Sequence, residues 1–159
     1  LAPESRGELR PDLPLLTVDS LPLTVPGCTA LPGDAWTAQA LVVARQIADA
    51  LRESNQSSSA PWREQFDADV VGDVLSLRQW RTGDRMQPLG MTGRRKLHDI
   101  MIDAHIPQSL RKAIPLLVTP EHVLWLVGAR RSEFGKVTQA TQRVLIVSFK
   151  RETGAKSLV

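Results

Sequence analysis

SLRQWRTGDRMQPLGMTGRRKLHDIMIDAHIPQSLRKAIP, residues 76–115, decides how this chain is read. Between Arg78 and Lys96 it carries six cations, Arg78, Arg81, Arg85, Arg94, Arg95 and Lys96, against one anion, Asp84. Cations at that density are either solvated or matched to an anionic partner. Glycines at 83, 90 and 93 cut the first half into turns. Leu97, Ile100, Met101 and Ala104 then recur at i, i+3, i+4 and i+7, which predicts an amphipathic helix with those four on its buried face. Pro107 suits the first turn of a second short helix, Pro107–Ala113, which Pro115 stops.

Working outward, Leu116–Thr119 and His122–Val127 flank Pro120-Glu121 as two apolar runs, the pattern of a hairpin, and Val144–Phe149 is apolar enough for a buried strand. Upstream, Pro22, Pro26, Gly27, Pro32 and Gly33 punctuate Leu15–Val43 and permit only short strands joined by turns. The alanine-rich run from Asp34 to Glu53 has helix propensity throughout, with Asp34 as an N-cap candidate. Arg63–Ala68 and Val74–Trp80 read as strands separated by a turn at Val71-Gly72-Asp73. Ser54–Pro61 reads as a flexible loop, residues 1–14 as a polar, proline-rich tether, and the tail after Arg151 as loose.

A length of 159 residues suits one ordinary domain or two small intimate ones, and 42% hydrophobic content suits a globular chain. No apolar run approaches the roughly 20 residues that cross a bilayer, and the opening LAPESRGELRP lacks the order of a signal peptide. The single cysteine, Cys28, cannot form an intrachain disulfide and has no evident base beside it. A cytoplasmic location is the expectation. Net charge is +3, but residues 1–77 sum to −6 and residues 78–159 to +9. A basic half is the electrostatic footprint of a nucleic-acid face, and equally of a solvated surface.

The cations fall into four groups. Arg81 and Arg85 flank a glycine turn in which Asp84 either pairs with an arginine or leaves both forks to meet phosphate oxygens. Arg94, Arg95 and Lys96 stand at the predicted helix start, where they oppose the helix dipole unless an anion neutralises them. Arg111 and Lys112 lie on the short second helix, and Arg130 and Arg131 follow the Gly128 turn. His98 and His105 are seven apart, a spacing unlike that of zinc-binding helices, and Asp84, Asp99 and Asp103 lack a nucleophile or base for metal-dependent cleavage. Trp36, Trp62, Trp80 and Trp125 read as core, with Trp80, set among arginines, also able to stack on a base.

The order LRQWRTGDRMQPLGMTGRRKLHDIMIDAHIPQSLRKAIPLLV, then VLWLVGARRSE, then Thr141 before VLIVSF, resembles the C-terminal part of bacterial tRNA(Ile)-lysidine synthetase. The family pattern there runs approximately R-x-P-G-D-R-x-x-P-L-G-M-x-G-x-K-K-L-x-D, and Thr82 stands where proline is usual. Upstream, LPLTVPGCTALPGDAWTAQALVV is similar to the strand-rich segment before that domain. This favours a strand at Trp36–Val43 and a short helix at Ala44–Glu53 over one continuous helix; the pattern does not account for Ala44–Ala60.

The resemblance implies an α+β fold of layered, β-sandwich-like sheets with one amphipathic helix and a short second helix, similar to a domain of the phenylalanyl-tRNA synthetase β chain. With the tether at 1–14 and the tail at 151–159 read from composition, it implies a strand-rich linker or substrate-binding segment at 15–75, carrying the flexible loop at 54–61, and the C-terminal domain proper at 76–150. It also implies a parent enzyme that uses ATP, with Mg²⁺, and lysine to convert the wobble cytidine of the isoleucine tRNA with a CAU anticodon into lysidine. That chemistry belongs to an N-terminal adenylating domain with an SGGxDS-type loop, a motif this chain lacks. The expectation is therefore a non-catalytic, cofactor-free tRNA-binding portion whose contacts are Arg78, Arg81, Arg85, Arg94, Arg95, Lys96, Arg111, Lys112, Arg130 and Arg131. Its partners would be that tRNA, the adenylating domain and a second copy of the protein. The alternative is a structural or dimerisation domain without RNA contact.

Overall fold

The computed structural model describes residues 13–33, 35–54 and 62–151. All of the expected tether but Leu13 and Pro14, all of the expected loop but Ser54, and the tail beyond Arg151 lie outside the described residues. Among those described, β1 (Ser20–Pro22), β5 (Ser76–Arg78), β8 (Leu116–Val118), β9 (Val123–Leu126) and β10 (Arg130–Arg131) form one antiparallel sheet in that order. A second antiparallel sheet runs β2 (Gly27–Ala30), β3 (Trp36–Ala44), β11 (Arg143–Arg151), β4 (Arg63–Asp67). A ribbon of β6 (Arg85–Met86) and β7 (Arg95–Lys96) leads into the helix region.

The two sheets pack face to face. Leu77, Leu117, Leu124 and Trp125 of the first share a core with Trp36, Ala38, Phe66, Leu145, Val147 and Phe149 of the second. The uninterrupted apolar run of β11 follows from its position, because both of its faces are covered. Leu145, Val147 and Phe149 face the other sheet, while Val144 and Ile146 pack on Ala48 of helix α1 (Arg45–Ser54). On the far side of the first sheet, Leu97, Ile100 and Met101 of helix α3 (Leu97–Asp103) pack on Leu116, Val118 and Leu126. The result is four layers: helix, sheet, sheet, helix.

Propensity loses to pairing over Trp36–Ala44. Trp36, Ala38 and Ala40 are buried on alternate positions, and all nine residues pair with β11, from Trp36 opposite Arg151 to Ala44 opposite Arg143. The chain turns helical at Arg45, whose N–H donates to the Gln142 carbonyl and whose guanidinium bonds the Thr138 and Thr141 carbonyls. The expected strand at Trp36–Val43 followed by a helix is what the structure has.

Other expectations are corrected. Helix α3 begins at Leu97, so Arg95 and Lys96 belong to a strand, where they oppose Met86 and Arg85. Ala104, read as a buried stripe position, is exposed at the helix end. The second helix is a single 3₁₀ turn, Gln108–Leu110, closed by Leu110 N–H to the Pro107 carbonyl. The first strand of the pair around Gly72 ends at Asp67, because that carboxylate caps the amides of Asp69 and Val70 and starts a one-turn helix, α2 (Ala68–Val71). Strands from both sides of residue 75 contribute to each sheet, β1 pairing with β5 and β3 and β4 flanking β11; this pairing neither moves nor fixes the expected segment boundaries.

Gly135 locks the corner between α2 and β4. Its carbonyl accepts the Asp67 N–H at 2.8 Å, its φ is +79°, and a Cβ there would overlap the Val71 side chain. Gly83 has φ +97° but open space around it. Gly135→Ala is expected to cost about 3 kcal/mol, strain plus overpacking, and Gly83→Ala about 1 kcal/mol, strain alone. Urea denaturation midpoints check the ordering.

Candidate nucleic-acid interface

The turn after β5 is organised by one ion pair. Arg78 Nη1 and Nη2 donate to Asp84 Oδ2 and Oδ1 at 2.8 and 2.9 Å, and both side chains are nearly enclosed, 16% and 13% exposed. Asp84 Oδ2 also accepts the Arg81 N–H at 2.8 Å, and the Asp84 N–H returns to the Arg81 carbonyl. Burial is the largest single influence on the Asp84 carboxyl and raises its pKa. The Arg78 hydrogen bonds, the Arg81 amide and the two guanidinium charges together outweigh it and leave the pKa below the ordinary value. The Asp84 carbonyl accepts the Leu97 N–H, tying this turn to the start of α3.

The loop from Gln87 to Arg94 is held as tightly. Gly90 N–H donates to Glu133 Oε1 at 2.9 Å, Leu89 N–H to the Arg131 carbonyl, and Gln87 Nε2 to the Met91 carbonyl. The Gly90 amide, followed by the Lys136 ammonium, holds the Glu133 carboxyl below its ordinary pKa. Pro88 bridges to Ser132, so the loop is stitched to the residue that follows β10.

Between this framework and the hairpin loop lies a cleft of about 510 Å³. Arg78, Arg81, Arg85 and Arg94 line it, together with the loop from Thr119 to His122, and Phe134 lies among its walls. Arg81 makes an exposed ion pair with Asp19 at 3.0 Å, 54% and 72% exposed, a contact worth little in water. Arg85 and Arg94 are exposed and make no ion pair among the described residues. Two free guanidinium forks and a third weakly held one therefore converge on one concavity. That arrangement suits an anion with several oxygens, such as a phosphodiester.

The remaining predicted contacts do not join them. Arg95 pairs with Asp103 at 2.8 Å, and Lys96, exposed, stands opposite Arg85 across the ribbon without lining the cleft. Arg111 donates to the Ile106 carbonyl, and Lys112 is exposed beyond the 3₁₀ turn. Arg130 reaches the Met91 sulfur at 3.3 Å. Arg131 is turned inward, 10% exposed, with its guanidinium 4.4 Å above the Phe66 ring and bonded to Glu64 and the Gln65 carbonyl. Trp80 packs against the α3 core and stacks on His98, with ring centroids 5.8 Å apart. The loop 119–122 and Phe134 were not singled out as site residues. Their signal was the Pro120-Glu121 hairpin turn alone, which carries no chemistry until the fold sets it beside the arginines.

Fold and site together define a small antiparallel α+β module with a rigid, arginine-lined cleft. Residues 75–147 match the family model described as the TilS substrate C-terminal domain. The chain is 41% identical over 91 residues to a tRNA(Ile)-lysidine synthase of Geobacter sulfurreducens, covering 57% of this chain and 19% of that protein. It is 32% identical over 130 residues to a tRNA(Ile)-lysidine synthase of Caldanaerobacter subterraneus subsp. tengcongensis, covering 82% of this chain and 26% of that one. A crystal structure of a TilS C-terminal domain superposes with a TM-score of 0.66 at 23% identity, covering 84% of this chain and 97% of that chain, which shows the shared fold. The chain belongs to the TilS substrate C-terminal domain family, through residues 75–147. It spans about a fifth to a quarter of the length of these curated relatives.

The Asp84 pair yields a signed prediction. Its native pKa lies below the unfolded one, so its contribution to stability is complete above the ordinary carboxylate range and drains as pH falls through the native pKa. Asp84→Asn leaves Arg78 nearly enclosed without a counter-charge. The expected cost at neutral pH is about 2 kcal/mol, less than the roughly 3–5 kcal/mol of a fully buried pair because some water remains. Urea titrations from neutral pH down into the acid range should show the gap between the two proteins narrowing toward acid.

Proposed function

We propose that this chain is the tRNA-binding portion of a tRNA(Ile)-lysidine synthetase and grips its substrate through the arginine cleft. The observation that carries this reading is the convergence of Arg81, Arg85 and Arg94 on one concave surface, two of them free of ion pairs among the described residues. Guanidinium forks suit phosphate oxygens bidentately, and a folded RNA is gripped largely by its backbone and shape. The family membership and the relatives' names support tRNA as the RNA.

In this role the chain performs no chemistry. The parent protein would adenylate the wobble cytidine of the CAU-anticodon isoleucine tRNA with ATP and Mg²⁺, and lysine would displace AMP. Both cofactors would sit in an adenylating domain outside this chain. The cleft arginines would add binding energy and register, and the reaction would take place in cytoplasm, where tRNA is modified. No helix among the described residues is long and apolar enough to cross a membrane.

The measurement is filter binding of the unmodified CAU-anticodon tRNA across a salt series. Association should weaken steeply with salt. Arg85→Ala with Arg94→Ala should lower affinity on the order of tenfold and reduce the log–log salt slope by about 1.5, the release of roughly two phosphate contacts. Lys112→Ala, exposed outside the cleft, should change neither. Wild-type affinity and slope in the double variant would remove the cleft from the interface. Absence of salt-sensitive tRNA retention, with concentration-dependent dimers in sedimentation, would instead assign the chain a structural or dimerisation role.

A further inference from the structure

His122 has a position that phosphate binding does not use. Its imidazole lies on the Phe134 ring at 3.8 Å between centroids and 16° between planes, and Phe134 packs against the core shared by the two sheets. His122 is nevertheless exposed, so one ring face is seated and the other is open. Thr119 fixes the loop that carries it, its Oγ1 accepting the N–H groups of Glu121 and His122 and its N–H donating to the His122 carbonyl. The ring is a preset platform rather than a mobile side chain.

The platform stands at a boundary. His122, Glu121 and Phe134 line both the arginine cleft and a neighbouring hollow of about 370 Å³ beside Val70 and Val74, which are 51% and 65% exposed. The charge changes sign across that boundary: on one side lie the arginines, with Asp84 already paired to Arg78, while Glu121 stands at the boundary and Asp73 in the hollow. A phosphate is drawn to the first side and repelled from the second. An apolar, planar group with hydrogen-bond donors on its edge suits the second.

We propose that the cleft and the His122 platform together hold an unpaired RNA nucleotide, with its phosphate on Arg85 and Arg94, its base stacked on His122, and an exocyclic amine of that base donating to Glu121. The inference rests on the RNA-binding reading above. A base inside a duplex has both faces stacked and its pairing edge occupied, so only an unpaired one can reach the ring. A carboxylate accepts only, which favours bases with an exocyclic amine over uracil. The cleft volume lies within the roughly 300–1,000 Å³ typical of small-ligand sites.

The test uses this chain and two fluorescein-labelled RNA pentamers, oligo(C) and oligo(U), which are matched in size and charge and differ on the pairing edge, cytosine presenting a C4 amine and an N3 acceptor, uracil a C4 carbonyl and an N3–H. Fluorescence anisotropy at low salt should show oligo(C) binding about tenfold tighter. His122→Ala should weaken oligo(C) about tenfold, the worth of one lost stack, while His122→Phe, which keeps a ring on Phe134, should hold it within twofold. Glu121→Gln adds a donor beside the acceptor and should level the two pentamers. Affinity for a fully paired RNA duplex should stay within twofold in all three variants. Equal binding of oligo(C) and oligo(U) by the wild type, or wild-type oligo(C) binding by His122→Ala, overturns the nucleotide site. Retained tRNA binding alongside either result leaves the arginine-cleft reading standing; loss of salt-sensitive tRNA binding would overturn both.

Discussion

The buried guanidinium of Arg131 is the contact on which the arrangement of sheets and cleft depends. It comes from β10, at the edge of the first sheet, and meets three consecutive residues of β4 in the second: the Glu64 carboxylate, the Gln65 carbonyl and the Phe66 ring. Its Nε also donates to the Ser132 carbonyl, and its own carbonyl accepts the Leu89 N–H. One residue thus fixes the approach of the two sheets and seats the loop that leads to Arg94. Burial pushes its pKa below the ordinary arginine value and Glu64 opposes the shift, but a guanidinium stays charged under all ordinary conditions. An ammonium in that place would supply a point charge without the planar fork that reaches ring, carboxylate and carbonyl together.

The arginines of the chain consequently divide by enclosure. Arg78 and Arg131 spend their donors on the protein, at 16% and 10% exposure. Each sets a backbone segment that presents an exposed cation: the Arg78–Asp84 pair sets the turn before Arg85, and Arg131 seats the loop before Arg94. The outward cations are precise because the inward ones are anchored, Arg78 by both ends of its fork on Asp84 and Arg131 through Nε and Nη1, its Nη2 being buried without a hydrogen-bond partner among the described residues. Removing an inward arginine would leave a carboxylate unpaired and shift the backbone beneath an outward one, so loss of RNA binding in such a variant would report on the scaffold rather than on a contact.

This division was the least legible feature of the sequence. Arg78, Arg85 and Arg131 are the same residue type in similar local patterns, and nothing within a few residues of each says which way it points. What separates Arg131 is a partner far along the chain, Glu64, 67 residues away, and what separates Arg78 from Arg81 and Arg85 is which of the three the fold turns toward Asp84. Features set by local periodicity were legible: the apolar hairpin around Pro120-Glu121, the buried run of β11 and the apolar stripe of α3. The family pattern resolved Trp36–Ala44, where propensity alone points to a helix, because that segment's state is decided by nine-residue pairing with β11, about 100 residues downstream. The three cations before α3 were misplaced for a related reason. Arg95 and Lys96 have a strand partner in β6, and pairing there outranks the helix start.

A cleft built this way favours modest affinity with exact placement. The loops around it are already pinned by backbone hydrogen bonds, through Gly90 to Glu133, Leu89 to Arg131 and His122 to Thr119, so binding need not order the main chain and costs chiefly the rotamer freedom of Arg85 and Arg94. Two or three phosphate contacts nonetheless supply only a salt-sensitive, sequence-independent grip. Such a grip gains its effect by being linked to another binding site, where it raises effective concentration and sets register without needing to be tight. That is the physical case for a rigid cationic cleft on a module about a quarter the length of the relatives it matches: in the proposed role, its rigidity would determine where a bound RNA lies relative to a second, linked binding site.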